Sequence, residues 1–256
     1  MKLLYRIIAT LFFVLLASSA RALPLLQLDI LGGTYDTSTE TIMAPGNSFS
    51  VYAYGLSGSH GISLADNFFL SMALVPSTST SGSYGSFVVN GTTINVTSDM
   101  TYGTPPLETV PVLGGAATDP GDLAAHGIFP TYFAESKFNF SFGNQSGLYN
   151  TADSAGSGPQ DGSGMYFKKF DVDISGLSLN HGIHFDLYNE TLISCKKTQQ
   201  NCTVGDLDVN KFAPFSHDAE GRVVASVPEP ETYAMLVAGL GLMGFVARRR
   251  KGRSQI

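Results

Sequence analysis

The sequence predicts an all-β body, an antiparallel β-sandwich of jelly-roll-like or immunoglobulin-like type, flanked by a short apolar segment at each end. Three observations carry that expectation. Short runs between residues 26 and 187 alternate apolar and polar residues with period two. Clusters of Gly, Ser, Asn and Asp separate these runs, and no stretch of the body has the spacing of an amphipathic helix. The composition, 43 % hydrophobic and 14 % charged with 28 Gly, puts charged residues well below the usual quarter and Gly above its usual share. That usage argues against a coiled coil or a helical solenoid. The apolar fraction and the 11 % aromatics argue against disorder.

The first segment reads as a secretory signal peptide over residues 1–22. Lys2 and Arg6 give a positive start, residues 7–16 are apolar except for Thr10, and Ala20-Arg21-Ala22 supplies a small–x–small cleavage site before Leu23. A membrane anchor is the rival reading, for which the apolar run is too short. The exported domain is expected over 23–226.

Within it, Leu26-Gln27-Leu28-Asp29-Ile30 alternates as a half-buried strand does. Residues 48–54 place Phe49, Val51 and Ala53 on one face, and Phe68, Leu70, Met72 and Leu74 repeat the pattern. Asn90-Gly91 between apolar flanks predicts a type I′ hairpin. Phe138, Phe140 and Phe142 predict a strand, as do Phe170-Asp171-Val172-Asp173-Ile174 and Ile183-His184-Phe185-Asp186-Leu187. The Gly/Ser-rich stretches 77–86 and 151–164 are expected as surface loops, and 103–121 as a long crossover or edge loop. Cys195 and Cys202 enclose a short polar loop. In an exported chain such a pair is expected to form a disulfide, with a metal site as the weaker rival.

Charge bounds the partners. The chain has net charge −6, yet residues 23–227 hold only 7 Lys and Arg against 19 Asp and Glu. So acidic a body repels phosphate backbones, which excludes nucleic acid as an expected partner and leaves cations open. Asp206-Leu207-Asp208-Val209-Asn210 begins like a D-x-D-x-N calcium loop, making Asp206, Asp208 and Asn210 the metal candidates. Lys211 stands where an EF-hand needs Gly and His217 where it needs Glu, so the stretch is not an EF-hand. The alternative is a strand with Leu207 and Val209 inward. Asp171/Asp173 and His184/Asp186 are further same-face pairs that a polar strand face explains equally well. No cofactor is required; Ca²⁺ on one of these clusters stays open.

Residues 211–221 concentrate polar groups, among them Phe215, Ser216, His217, Asp218 and Glu220. As an extended chain, Ser216, His217 and Asp218 alternate faces and cannot form a nucleophile–base relay among themselves. His217, Asp218 and Glu220 are expected instead to cap a loop through hydrogen bonds, and no catalytic residue is expected anywhere. This stretch, with Leu26–Ile30 and Gly33-Thr34-Tyr35-Asp36, resembles the choice-of-anchor N family, an exported body joined to differing C-terminal anchors. No activity comes with that resemblance, so it assigns no site residue.

The C-terminal segment is tripartite. Val227-Pro228-Glu229-Pro230 precedes an apolar helix expected at about 232–247, and Arg248-Arg249-Arg250-Lys251 closes it before a cytoplasmic tail at 252–256. Fifteen apolar residues span about 22 Å against a hydrocarbon core of about 30 Å, so crossing relies on the flanking arginines snorkelling. The basic cluster places the tail in the cytoplasm. Two prolines keep the preceding box extended and out of the helix. Gly239, Gly241 and Gly244 spell GxGxxG, but too little chain follows for a dinucleotide site.

Residues 227–251 resemble the PEP-CTERM sorting signal of Gram-negative bacteria. The resemblance implies recognition by an exosortase after export through the Sec machinery. It also implies an inner-membrane-anchored precursor and delivery to the cell surface or extracellular matrix, often beside exopolysaccharide. A permanent single-span anchor is the plain alternative. The expected role is structural or adhesive and not enzymatic. A calcium-dependent or glycan-binding module is the alternative, and an envelope hydrolase stands behind that.

Overall fold

Period-two alternation resolves into two β-sheets that share one core. The computed structural model describes residues 23–106, 127–192, 207–223, 235 and 237–243. Among the described residues one sheet has six strands: β1 (Leu26–Ile30), β4 (Ser48–Leu56), β6 (Ser86–Val89), β7 (Thr92–Asn95), β10 (Gln145–Gly147) and β11 (Gly164–Asp173). Their order is β1-β4-β11-β6-β7, with β10 also paired to β11. The second has eight: β2 (Thr34–Asp36), β3 (Thr41–Met43), β5 (Phe68–Val75), β8 (Thr101–Gly103), β9 (Thr131–Phe138), β12 (Gly182–Leu192), β13 (Leu207–Phe212) and β14 (Asp218–Arg222). They run β2-β3-β14-β12-β5-β9-β8, with β13 beside β12. Every pairing among the described strands is antiparallel except β14 with β3, which is parallel.

The inward residues are those the alternation selects. Leu28, Val51, Phe87 and Phe170 from the six-stranded sheet join Ile42, Leu70, Phe185 and Ala219 from the eight-stranded one in one apolar cluster. Phe49 and Phe185 meet edge to face across it, with ring centroids 6.1 Å apart, a favoured aromatic geometry. The predicted hairpin joins β6 to β7, with Asn90 and Gly91 both at positive φ, 49° and 80°. A type I′ turn requires that pair of values.

Two expectations need correction. The strand placed at Phe138, Phe140 and Phe142 ends at Phe138. Phe140 is buried beyond its end and Phe142 is exposed, so the alternation there continues past the ladder. The stretch 151–164 is the expected loop with half of its residues exposed, but it also covers β1. Thr151 is fully buried, and the segment packs over the outer face of β1, whose five residues are all buried. The strand expected to be half-buried is therefore covered on both faces.

Met1–Val223 and Val224–Ile256 form two separate compact units. In the second, Met235 and residues 237–243 are helical. Among the described residues no helix is long and apolar enough to cross a membrane; the ends of the expected 232–247 span lie outside them. So do residues 1–22 with Ala20 and Ala22, Cys195, Cys202, Asp206, the box 227–230 and the basic cluster 248–251.

Candidate functional site: a buried histidine among carboxylates

Residues two apart on a strand share a face. On β12 that pairs His184 with Asp186, and on β14 Asp218 with Glu220. The antiparallel register sets His184 opposite Glu220 and Phe185 opposite Ala219; one step further it sets Asp186 beside Asp218. Ile183, Phe185 and Ala219 point into the core, so the four polar side chains occupy the outer face. They are nevertheless buried, with exposures of 2 % for His184 and Asp186, 1 % for Asp218 and 7 % for Glu220.

The imidazole is held from both sides. Its Nδ1 lies 3.3 Å from Glu220 Oε2, and its Nε2 lies 3.6 Å from both Asp186 Oδ1 and Asp218 Oδ2. Arg222 Nε donates to Glu220 Oε1 and anchors that carboxylate in turn. Burial alone would push the His184 imidazole down, but Asp186, with Asp218 and Glu220, holds it well above 6.5. Burial pushes the Asp218 carboxyl up to about 8; the charge of Asp186 adds to this and His184 opposes it. Burial also raises Glu220, yet His184 and Arg222 outweigh it and hold that carboxyl below 4.5.

Asp218 and Glu220 were expected to cap a loop. They lie instead within a strand, because β14 is wedged between β3 and β12. Phe215, Ser216 and His217 form a 3₁₀ turn just before it. Ser216 and His217 do meet: Ser216 Oγ is 2.9 Å from His217 Nδ1, and His217 Nε2 is 2.8 Å from Asn150 Oδ1. Ala152 donates its N–H to the same Asn150 oxygen, so that atom is an acceptor and Nε2 carries the proton. Nδ1 then accepts from the Ser216 hydroxyl. His217 is buried with both ring nitrogens engaged inside the fold. This geometry ties the 3₁₀ turn to the segment over β1.

The other candidates stay apart. Asp208 and Asn210 fall on β13, paired with β12. Asp171 bonds Ser50 and Lys169, while Asp173 accepts the N–H of Ser175; each is satisfied locally. Asn150 carried no signal in the sequence. The pairs at 184/186 and 218/220 did, as i, i+2 polar residues on strands, but the register joining them is a tertiary fact.

Residues 226–251 match the family model of the PEP-CTERM protein-sorting motif. No curated protein and no solved structure matches the chain. The motif marks the chain as exported, membrane-anchored in transit and sorted by an exosortase.

Proposed function

We propose that an exosortase delivers this protein to the cell surface or extracellular matrix, where its all-β body has a structural or adhesive role beside exopolysaccharide. The sorting motif at 226–251 carries this reading. The body supports it: one core under two sheets, with both ring nitrogens of His217 turned inward, suits a stable non-catalytic module. Its resemblance to the choice-of-anchor N family fits as well, since that family joins one exported body to differing anchors. Export through the Sec machinery, cleavage before Leu23 and transient residence in the inner membrane belong to the same proposal.

The test is the intact mass of the protein from its native host, with membrane and matrix fractions separated. A matrix form starting at Leu23 and ending near Pro228-Glu229-Pro230 is expected. A form found only in membranes and retaining Arg248–Lys251 would leave a plain anchor and refute delivery to the matrix. Repeating the fractionation in an exopolysaccharide-deficient host tests the role: the matrix form should then be shed into the medium.

A further inference from the structure

We propose that His184, Asp186 and Asp218 bind a divalent transition-metal ion of the zinc class, with Glu220 holding the imidazole from behind. This inference is independent of the sorting reading. One ligand atom from each of the three residues lies within 4.8 Å of the other two. The separations of 3.6 Å from His184 Nε2 to Asp186 Oδ1 and to Asp218 Oδ2 are too long for hydrogen bonds. They are close to the distance of about 3.4 Å between ligand atoms on a tetrahedral ion with bonds of about 2.0–2.1 Å.

Two orphaned atoms on this face point the same way. Asp218 Oδ2, on a residue 1 % exposed, faces Nε2 and has no hydrogen-bond partner. Ser71 pairs with Asp186 in the β5–β12 register, and its fully buried hydroxyl also lacks a partner. Buried polar atoms without partners are rare and costly. An ion would satisfy Asp218 outright.

The outer contacts are also those of a metal site. A ligating imidazole usually directs its second nitrogen to a carboxylate that fixes the ring; here Glu220 takes Nδ1, and Arg222 steadies Glu220. The donor set selects the ion. An imidazole with two carboxylates suits zinc-class ions, whereas Ca²⁺ needs six to eight oxygens at about 2.3–2.6 Å. Since two ligands come from β12 and one from β14, the ion would clamp the strand that ends four residues before the sorting motif.

The experiment uses the full chain purified in detergent without a polyhistidine tag, stripped with chelator and dialysed. Elemental analysis after equilibration with ZnCl₂ should find one zinc per chain. Thermal scans should show Tm rising by roughly 5–10 °C at zinc a hundredfold above its Kd, with no equal rise in CaCl₂. His184→Gln and Asp218→Asn should abolish the zinc-dependent rise. Glu220→Gln should keep the stoichiometry and weaken affinity about 10–100-fold, and Asp171→Asn should change nothing. Wild-type protein that retains no zinc and shows no shift overturns the proposal, even if the variants fail to fold. A shift that survives in His184→Gln and Asp218→Asn overturns it too.

Discussion

Asp29 Oδ1 accepts the backbone N–H of Gly156 at 2.8 Å across 127 residues of chain. The same carboxylate takes the N–H of Gly158 and the hydroxyl of Tyr149. Two residues earlier on β1, the Gln27 amide donates to Tyr149 O and accepts the N–H of Thr151. A polar strand face is thus buried by using it as a template for backbone groups that would otherwise be orphaned.

Asp29→Ala removes the acceptor for two backbone N–H groups at once. Unfolding free energy from urea denaturation should fall by roughly 2–6 kcal/mol, at one to three per stranded buried donor. Limited proteolysis should cut first within 148–160. Unchanged stability would mean that the segment is held by its apolar contacts alone.

Burial raises the Asp29 carboxyl above its ordinary 3.8 against the pull of its hydrogen bonds. A carboxyl with a raised value in the folded state binds its proton more tightly folded than unfolded. Its contribution is therefore fully present below 3.8 and is lost as pH rises through the raised value. The Tm difference between wild type and Asp29→Asn should shift in favour of wild type as pH is lowered from 7 to 4. A shift in the opposite direction would show that the hydrogen bonds outweigh burial.

Gly156 has φ +81°, and a Cβ there would sit 2.3 Å from Gly33 O. Gly156→Ala should cost roughly 2–4 kcal/mol, combining left-handed backbone strain with a clash against main chain. Gly91 has almost the same φ, +80°, with nothing within 4 Å of a new Cβ. Gly91→Ala should cost only about 1–2 kcal/mol. Equal effects in thermal unfolding would mean that the clash relaxes freely.

Phe185 is fully buried and meets Phe49 across the two sheets. Phe185→Ala should destabilise by about 3–5 kcal/mol through the cavity it leaves. Phe142→Ala, at a residue 70 % exposed, should change stability little. Denaturant midpoints of the two variants settle the contrast.

Much of this fold is legible in the sequence because strand alternation is local. The residues of β1, β4, β5 and β12 and the Asn90-Gly91 turn are readable from their own neighbours. The cover over β1 is not, since Gln27 and Asp29 look like any solvated strand face until a distant segment bonds to them. For the same reason His184 and Asp186 are readable as a same-face pair, but not as half of a cluster. Their partners Asp218 and Glu220 follow a 3₁₀ turn in a stretch whose Ser, Asp and Gly suggest a loop. The Phe138–Phe140–Phe142 alternation misleads because burial continues past the last ladder bond.

The position of β14 carries a consequence for the order of biosynthesis. Without it, the eight-stranded sheet falls into two pieces, β2-β3 on one side and the strands from β12 outward on the other. The pairing partners Thr41 and Asp218 lie far apart in the chain. A polypeptide crossing a membrane from its N-terminus delivers residues 218–222 last of the described strands. If this chain is exported N-terminus first, as proposed above, the sheet closes only when the chain has emerged up to the threshold of its sorting motif, so completion of the fold and arrival of the tail at the membrane become nearly one event.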